Sequence, residues 1–479
     1  MSINTRSGLV VPDLYAITNS VDVIGYSNFR SASEVRSVYG RASFSYKDFV
    51  YIDGSARNDW SSTLPVNANA YFYPSVGSSF IISQFTKDAL PVLSFAKLRA
   101  NWAQVGSDLG TYQNALYYTV GTLKYGTNIL MATPNVLPNE SIKPALSSSY
   151  EGGLDLKFLK NRISFSATYY KENKINEILT VQVPGASGFS SRLINAGRIE
   201  RSGVELQLDA TPVVTNDFKW DVSVNWATNT SKVVALTEGI ETYSFNGDPF
   251  GQITAIHQVG EEWGQIRGSK MKRLNGEPVI NTDGTFAFER NQYFGSILPR
   301  FTGGAFTSLT YKNMSLTLSL DFQKGGKFYS LSDMSGKYSG LLEETAALND
   351  KGKNVREPVA DGGGVKVVGV NANGEKVEKY VDAFTYYHQF FNRVADYNIF
   401  DASYLKIREL NIGYNIPVKK IGSLSRYVRN ASVSFIARNP WIIYVANRNI
   451  DSSEISLNFG ENGQLFGTSS YGFNIKLGF

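Results

Sequence analysis

A two-residue alternation of apolar with polar or small side chains runs through most of the chain and constrains its fold more than any other feature. In residues 150–158 one parity carries Tyr150 and Leu154, and the other carries Glu151 and Asp155. The pattern recurs at 44–56, 163–169, 204–210, 218–226 and 309–322. Because successive side chains of a strand point to opposite faces, this period indicates about thirteen β-strands with one apolar face each.

The connections between these strands alternate in length. Short turns fall at 47–48, 159–161, 215–217 and 312–313, and long connections span about 106–143, 174–197, 228–302, 326–402 and 442–467. Short turns at one end and long loops at the other are typical of an antiparallel transmembrane β-barrel. Two local departures are expected: a bulge near Arg408-Glu409, where the apolar phase changes, and a short helical turn within 84–92.

The aromatic content supports a membrane barrel over a soluble all-β array. The chain has 28 Tyr and 29 Phe, and only 19% of its residues are charged. Several of the rings fall at predicted strand ends, where interfacial girdles lie in barrels; they are Tyr150, Phe158, Tyr169, Phe218, Trp226, Tyr311 and Phe322. No run of 18 apolar residues predicts a transmembrane helix, and the absence of Cys excludes disulfides and thiolate chemistry.

The two ends of the sequence carry different information. The final segment alternates on an apolar face that ends in an aromatic residue, which resembles the signal by which outer-membrane barrels are recognised for insertion; this face comprises Tyr471, Phe473, Ile475, Leu477 and Phe479. The beginning lacks the charged-then-apolar layout of a secretory signal. We therefore expect an N-terminally truncated protein without its signal peptide, in which residues 1–479 form the C-terminal part of a barrel domain; the family resemblance described below implies that a plug and the first strands are absent as well.

A search for catalytic and metal-binding patterns gives no candidate. The phosphate-loop, nucleophile-elbow and zinc-protease motifs do not occur, and the two histidines, His257 and His388, lie far apart in long loops. We expect no enzyme activity, metal or cofactor. The segments 281–284 and 371–374 are predicted to be hairpin turns instead of calcium loops.

Charged residues on the polar parity of the strands are predicted to line the barrel lumen. They are Asp53, Arg57, Lys97, Arg99, Glu151, Asp155, Glu205 and Asp209. Mutual pairing and contact with a plug are the favoured roles, and direct contact with substrate is the alternative.

Substrate contact is predicted for aromatic residues of the loops, together with one carboxylate. The candidates are Asp59 and Trp60, placed just beyond a strand end, and Tyr386, Tyr387, Phe390 and Phe391 in a long loop. Flat rings pack on sugar faces, and amphipathic aromatic residues also form protein interfaces. The alternative is that these rings pack the loop or contact a partner protein.

A series of segments resembles the SusC/RagA family of TonB-linked outer-membrane transporters from Bacteroidetes, in family order from residue 35 onwards. They include 57–65 (RNDWSSTLP), 71–76 (YFYPSV), 97–100 (KLRA), 104–106 (QVG), 169–170 (YY), 195–197 (NAG), 203–205 (GVE), 298–304 (LPRFTGG), 311–313 (YKN), 401–408 (DASYLKIR) and 437–439 (ARN). One departure lies at 451–454, where Asp-Ser-Ser-Glu stands in place of an Asp-Pro-Glu run.

The resemblance implies a nutrient importer in the outer membrane of a Gram-negative cell. Such a protein takes up oligosaccharides or peptides together with a SusD-like surface lipoprotein, and the TonB complex drives it through an N-terminal plug. A siderophore or vitamin receptor on a similar barrel is the main alternative. An outer-membrane barrel enzyme and a β-solenoid adhesin are less favoured, because convergent catalytic residues and short regular repeats are not found in the sequence.

Overall fold

An antiparallel sheet of 14 strands is the largest element of the protein in this computed structural model. The structure describes residues 2–27, 30–86, 89–247, 250–417, 422, 427–455, 460–464 and 467–479. Thirteen of the strands follow one another along the sheet and are called the wall below, which confirms the expected number. They are β1 (Val35–Tyr46), β2 (Val50–Ser61), β3 (Ala70–Ile81), β4 (Leu93–Ser107), β5 (Ala145–Phe158), β6 (Ile163–Ile175), β7 (Arg198–Val214), β8 (Phe218–Thr228), β9 (Pro299–Tyr311), β10 (Met314–Gly325), β11 (Tyr404–Ile416), β12 (Asn430–Val445) and β13 (Ser470–Gly478).

Tight turns join the wall strands at one end, at the predicted positions. Between β1 and β2, Lys47 and Asp48 both have positive φ. A pair of such residues gives a turn whose twist matches that of the flanking strands. The turn sets the register of the hairpin, in which Phe44 lies opposite Ile52 on the apolar face.

Strand β11 contains the bulge that the change of phase predicted. Ser319 of β10 lies opposite Glu409, whereas Leu320 lies opposite Ile407, so Arg408 is the extra residue. The bulge returns the apolar side chains of β11 to one face. The predicted helical turn is also present as α1 (Ser83–Thr86).

The apolar face of the wall is exposed to the surroundings of the chain. Large side chains on this face have no protein layer over them; they include Phe44, Ile52, Val76, Leu98, Tyr169, Leu208, Ile412 and Phe473. A water-soluble sheet would bury such a face, whereas a barrel in lipid leaves it outward. Among the described residues, no helix is long and apolar enough to cross a membrane.

Most of the predicted girdle residues lie near strand ends, with two exceptions. Phe158 ends β5, Phe218 begins β8 and Tyr311 ends β9. Tyr150 and Tyr169 instead lie inside their strands, because β5 and β6 continue past them at the end that carries the long connections. The prediction that these two rings mark strand ends was therefore wrong, since polar residues such as Ser147 and Glu172 extend the pairing.

Two of the long connections fold together into a compact unit that we call the loop body, residues 229–298 and 326–403. It contains helices α2 (Leu331–Tyr338) and α3 (Ala383–Asn392). Its strands are Thr230–Ala235, Thr242–Gly247, Ile253–Gln258, Gln265–Met271, Arg273–Leu274, Glu277–Pro278, Phe288–Ser296, Lys327–Ser330, Val365–Val370, Lys376–Val381 and Ile399–Asp401. The predicted hairpin turn at 371–374 joins two of these strands.

The loop body has a hydrophobic core of its own, in contrast to the wall. One cluster gathers Phe286, Phe390 and Val394 around the inner side of α3. A second cluster joins Ile253, Tyr329 and further buried residues around α2. Each helix starts at a capping side chain, because Ser330 accepts from the Asp333 amide and Asp382 accepts from the Thr385 amide.

Smaller elements complete the described structure. They are the strand pairs Ser2–Leu9 with Ser20–Ser27 and Thr119–Tyr125 with Asn128–Ala132, the strands Val136–Leu137, Ile178–Gln182, Ser191–Asn195 and Gly460–Glu461, and the 3₁₀ helices Ile17–Asn19, Gly185–Ser187, Glu343–Ala346, Val359–Asp361, Ala395–Asn398 and Ser452–Glu454.

Candidate functional site

The polar face of the wall brings the eight predicted lumen residues onto one side of the sheet. Lys97 lies opposite Asp155 across β4 and β5, and Asp155 lies opposite Ser166 of β6. The same rows continue through β7 to β10, where Asn225 and Asp321 flank Gly304. Side chains directly opposite each other share a face, and the remaining predicted residues have the same parity; they are Asp53, Arg57, Arg99, Glu151, Glu205 and Asp209.

These charges interact mainly across neighbouring strands. Arg99 pairs with Asp155 at 3.5 Å and donates to Thr168. Ser223 and Gln207 donate to Asp209 at 2.6 Å and 3.0 Å. A groove of about 560 Å³ lies between such groups, and Arg99, Glu205, Asn225 and Asp321 are among its lining residues. The polar face is therefore a hydrated surface that offers both donors and acceptors.

Asp59 and Trp60 do not form one site, because they are consecutive residues inside β2 and not beyond its end. Asp59 is buried, pairs with Arg57 at 2.7 Å and accepts a hydrogen bond from the Tyr73 hydroxyl. Trp60 points to the opposite, exposed face. The structure corrects the expected position, since pairing with β1 and β3 extends β2 through Ser61.

The predicted aromatic loop residues belong to α3, and most of them face the core. Phe390 is 2% exposed, and Tyr386 packs against the same cluster. Tyr387 donates from its hydroxyl to the Glu344 carbonyl at 2.7 Å, and burial raises its pKa to about 12. In this arrangement the ring of Phe390 packs in the core, whereas Tyr387 reaches the edge of the open cavity described below.

The other side of α3 carries a row of rings in contact, of which the sequence predicted Phe391 alone. Phe384 and His388 have ring centroids 3.5 Å apart, and His388 lies 4.1 Å from the ring of Tyr338 in α2. Tyr338 then contacts Phe391 at 4.8 Å, and Phe391 contacts Phe250 at 5.1 Å. We call these five residues the aromatic ladder. The spacing of residues 384, 388 and 391 is that of one helix face, and this signal was available in the sequence.

An open cavity of about 650 Å³ adjoins the ladder. Its lining combines Phe384, His388 and Tyr338 with polar groups of Arg356 and Asp382. Arg356 is held in place by hydrogen bonds from its guanidinium to the Thr345 carbonyl and hydroxyl at 2.7 Å and 2.8 Å. Rings next to fixed polar groups are the usual composition of a ligand site.

A second polar cluster ties the segment 451–454 to the wall. Lys406 of β11 is buried and donates to Asp451, and to Ser453 at 3.2 Å. Although burial alone would raise it, the hydrogen bonds from Lys406 and Ser453 hold the pKa of Asp451 below its ordinary value. Arg408, the bulge residue, bridges Asp321 at 2.7 Å and Glu454 at 3.0 Å. Asp451 also caps the 3₁₀ helix Ser452–Glu454, so the segment is ordered without the proline expected from the resemblance.

The two histidines lie in separate environments. His257 is buried against the rings of Phe245 and Trp263, with centroids 4.3 Å and 4.7 Å away. Its Nδ1 has no hydrogen-bond partner among the described residues, and burial lowers its pKa to about 4. His388 belongs to the ladder. In the part of the chain that the structure describes, no group of three or more His, Cys, Asp or Glu side chains is arranged to hold a metal ion.

The final strand presents its apolar parity to the outside. Phe473 contacts the ring of Phe435 in β12 at 5.5 Å, and the alternate residues of β13 are exposed. Four residues of the predicted insertion signal therefore lie on the same face as the other outward side chains of the wall, and they are Tyr471, Phe473, Ile475 and Leu477. Phe479 follows the end of β13 and is exposed. Its recognition during membrane insertion stays a prediction.

Comparisons with known proteins agree with this geometry. Residues 4–431 match the family model described as TonB dependent receptor-like, beta-barrel. TonB-dependent receptor P3 of Formosa agariphila is 24% identical over 429 residues, covering 83% of this chain and 40% of the relative. TonB-dependent receptor SusC of Bacteroides thetaiotaomicron is 24% identical over 415 residues, covering 79% of this chain and 37% of SusC.

A solved structure, the RagAB peptide importer in its closed-closed state, gives a TM-score of 0.74 at 18% identity. The match covers 98% of this chain and 50% of that chain. At this identity the likeness shows the fold, and with it the barrel class predicted from the alternation. The chain spans half or less of the length of each of these relatives.

Proposed function

Because the chain belongs to the TonB-dependent receptor-like β-barrel family, we propose that it forms wall and external loops of an importer for nutrient oligomers. The family comprises outer-membrane transporters and receptors, and it is not a family of enzymes. The observation that carries the proposal is the two-faced wall, which has an exposed apolar face on one side and paired charges on the other. Such a sheet separates lipid from a hydrated path.

The cargo of this importer is an oligosaccharide or a peptide, and import takes place together with a SusD-like surface lipoprotein. The similarity to SusC and the fold shared with the RagAB peptide importer support this choice of class. Energy comes from the TonB complex at the inner membrane, acting through a plug inside the complete barrel. In this proposal the chain catalyses no reaction and needs no metal or cofactor.

The polar face contributes a path along which a hydroxylated or amide-bearing oligomer exchanges hydrogen bonds. Several of its charges are already paired, as Arg99 is with Asp155 of the neighbouring strand. A charge that keeps a protein partner is not left unpaired when a passing cargo displaces water from it. We infer that the eight lumen residues hold the wall and plug together first and contact cargo second.

Uptake by living cells tests this proposal. A strain that lacks the gene should lose uptake of a fluorescent oligosaccharide or peptide pool, and the wild-type gene should restore it. A protonophore should abolish the restored uptake, because TonB coupling requires the proton gradient. Co-purification of a surface lipoprotein with the receptor checks the partner.

Two outcomes would contradict the proposal. Undiminished uptake of every oligomer in the deletion strain would refute nutrient import. A defect confined to growth on ferric siderophores or vitamins would instead identify the alternative receptor class on the same barrel.

A further inference from the structure

We propose that the aromatic ladder and its adjoining cavity bind an oligosaccharide, with a sugar ring stacked on Phe384. The inference rests on the proposed function and selects one of its two cargo classes. Of the predicted residues, Tyr387 lines this cavity and Phe391 belongs to the ladder, and the inference adds Phe384 and His388 to them.

The first support is the exposure of Phe384. This ring is 67% exposed at the end of the ladder, while its helix is already held by the buried rings of Tyr387 and Phe390. Folding of the loop body therefore does not require an aromatic residue at this position. An exposed ring beside a cavity is typical of a binding surface.

The second support is the rigidity of the ring. His388 lies behind Phe384, and Tyr338 of α2 lies behind His388, so the outer ring rests on a stack from two helices. A ring fixed in this way loses little conformational freedom when a ligand packs on it. The negative face of an aromatic ring suits the C–H groups on the flat side of a sugar.

The third support is the polar part of the cavity. Arg356 is fixed by its hydrogen bonds to Thr345, and Glu357, Asp382 and Ser339 supply carboxylate and hydroxyl groups around it. Together these side chains offer donors and acceptors at several points. A ligand with many hydroxyl groups satisfies both kinds of partner.

The lining favours a sugar over a peptide. None of its residues belongs to a β-strand, because they come from α2 and the two residues after it, from α3 and its capping residue, from the 3₁₀ helix Glu343–Ala346 and from the connection 356–358. An extended peptide therefore has no strand edge to pair with here. Pro358 and Ala383 are the aliphatic residues beside it, and the rest of its apolar surface comes from rings.

Binding to the full-length receptor in detergent tests the inference. A labelled array of plant, algal, fungal and host glycans, with a tryptic peptide pool as the competing class, is applied to the wild type. At least one glycan should bind, and Phe384→Ala should weaken that binding roughly tenfold, since a stacking contact contributes about that factor. Phe384→Trp should retain it.

The matched control is Tyr293→Ala. Tyr293 is an exposed aromatic residue of the loop body that lies outside the ladder and the cavity, so its removal should leave glycan binding unchanged. Equal heat-modifiable migration of the variants checks that each is folded.

Two results would overturn the inference, and both differ from failure of the proposed function. One is binding of peptides with no glycan bound; the other is a glycan affinity that Phe384→Ala does not alter. If the proposed import function is wrong, the uptake assay will show undiminished uptake in the deletion strain. That result does not depend on which glycan or peptide the purified receptor binds.

Discussion

The wall and the loop body place their apolar side chains in opposite ways. In the wall, Leu98 is half exposed although it lies near the middle of a strand. In the loop body, Phe390 is almost fully buried and its neighbours close over it. One chain thus contains a sheet whose apolar side faces outward and a domain-like unit whose apolar side faces inward.

The difference follows from the two solvents. In lipid an outward Leu has nothing to gain from burial in protein, and the wall is held by strand-to-strand hydrogen bonds that lipid cannot replace. In water the loop body depends on removing rings from solvent. The two regions should therefore respond differently to the same kind of substitution.

The largest effect is expected from Phe390→Ala in the loop body. Removal of this ring should destabilise the loop body by about 3–5 kcal/mol, because a cavity remains in a packed core. Hydrogen exchange by mass spectrometry should show faster exchange across α3 and the neighbouring strands. Amides in β5 and β6 should keep their protection, and simultaneous loss there would mean that the two regions unfold as one unit.

A smaller effect is expected from Leu98→Arg on the outward face of β4. A guanidinium near the bilayer midplane of a barrel costs about 2–4 kcal/mol. Urea unfolding of the full-length receptor in lipid vesicles measures this loss. The matched control is Leu341→Arg in the loop body, where the side chain is 82% exposed; equal effects of both substitutions would contradict an outward lipid face.

The smallest effect is a pH dependence confined to the loop body. His257 has a pKa of about 4 when folded and an ordinary pKa of 6.5. Between these values the unfolded state binds more protons than the folded state. The free energy of unfolding is therefore highest above pH 6.5 and falls as the pH drops towards 4. The loss between pH 7.5 and 5 should be about 2 kcal/mol.

Local hydrogen exchange of the strand Ile253–Gln258 at several pH values measures this slope. His257→Phe provides the control, because it keeps a ring between Phe245 and Trp263 and cannot titrate. A slope that persists in the variant would assign the pH dependence to another group.

The wall could be predicted from sequence because its signals are local. Alternation gives the strands, and Lys47-Asp48 gives a turn. The change of phase around Arg408 gives a bulge. Each of these depends on residues within a few positions of one another, and membrane barrels pair strands in sequence order.

The loop body could not be predicted in the same way. Its core brings together Phe286 and Phe390, which lie more than a hundred positions apart in the sequence. No short-range sequence pattern predicts such a contact. The length of the connection predicts a loop for the aromatic run in α3, and a loop has no two helix faces to separate. The alternation predicts Asp59 and Trp60 past a strand end, and so it does not give their opposite directions inside β2.

The attachment of segment 451–454 to β11 has a mechanical consequence. Lys406 and Arg408 are two residues apart on one strand, and each holds a carboxylate of the segment. Arg408 is also fixed to β10 through Asp321. A force applied to the segment is therefore transmitted to β10 and β11, which are paired with each other.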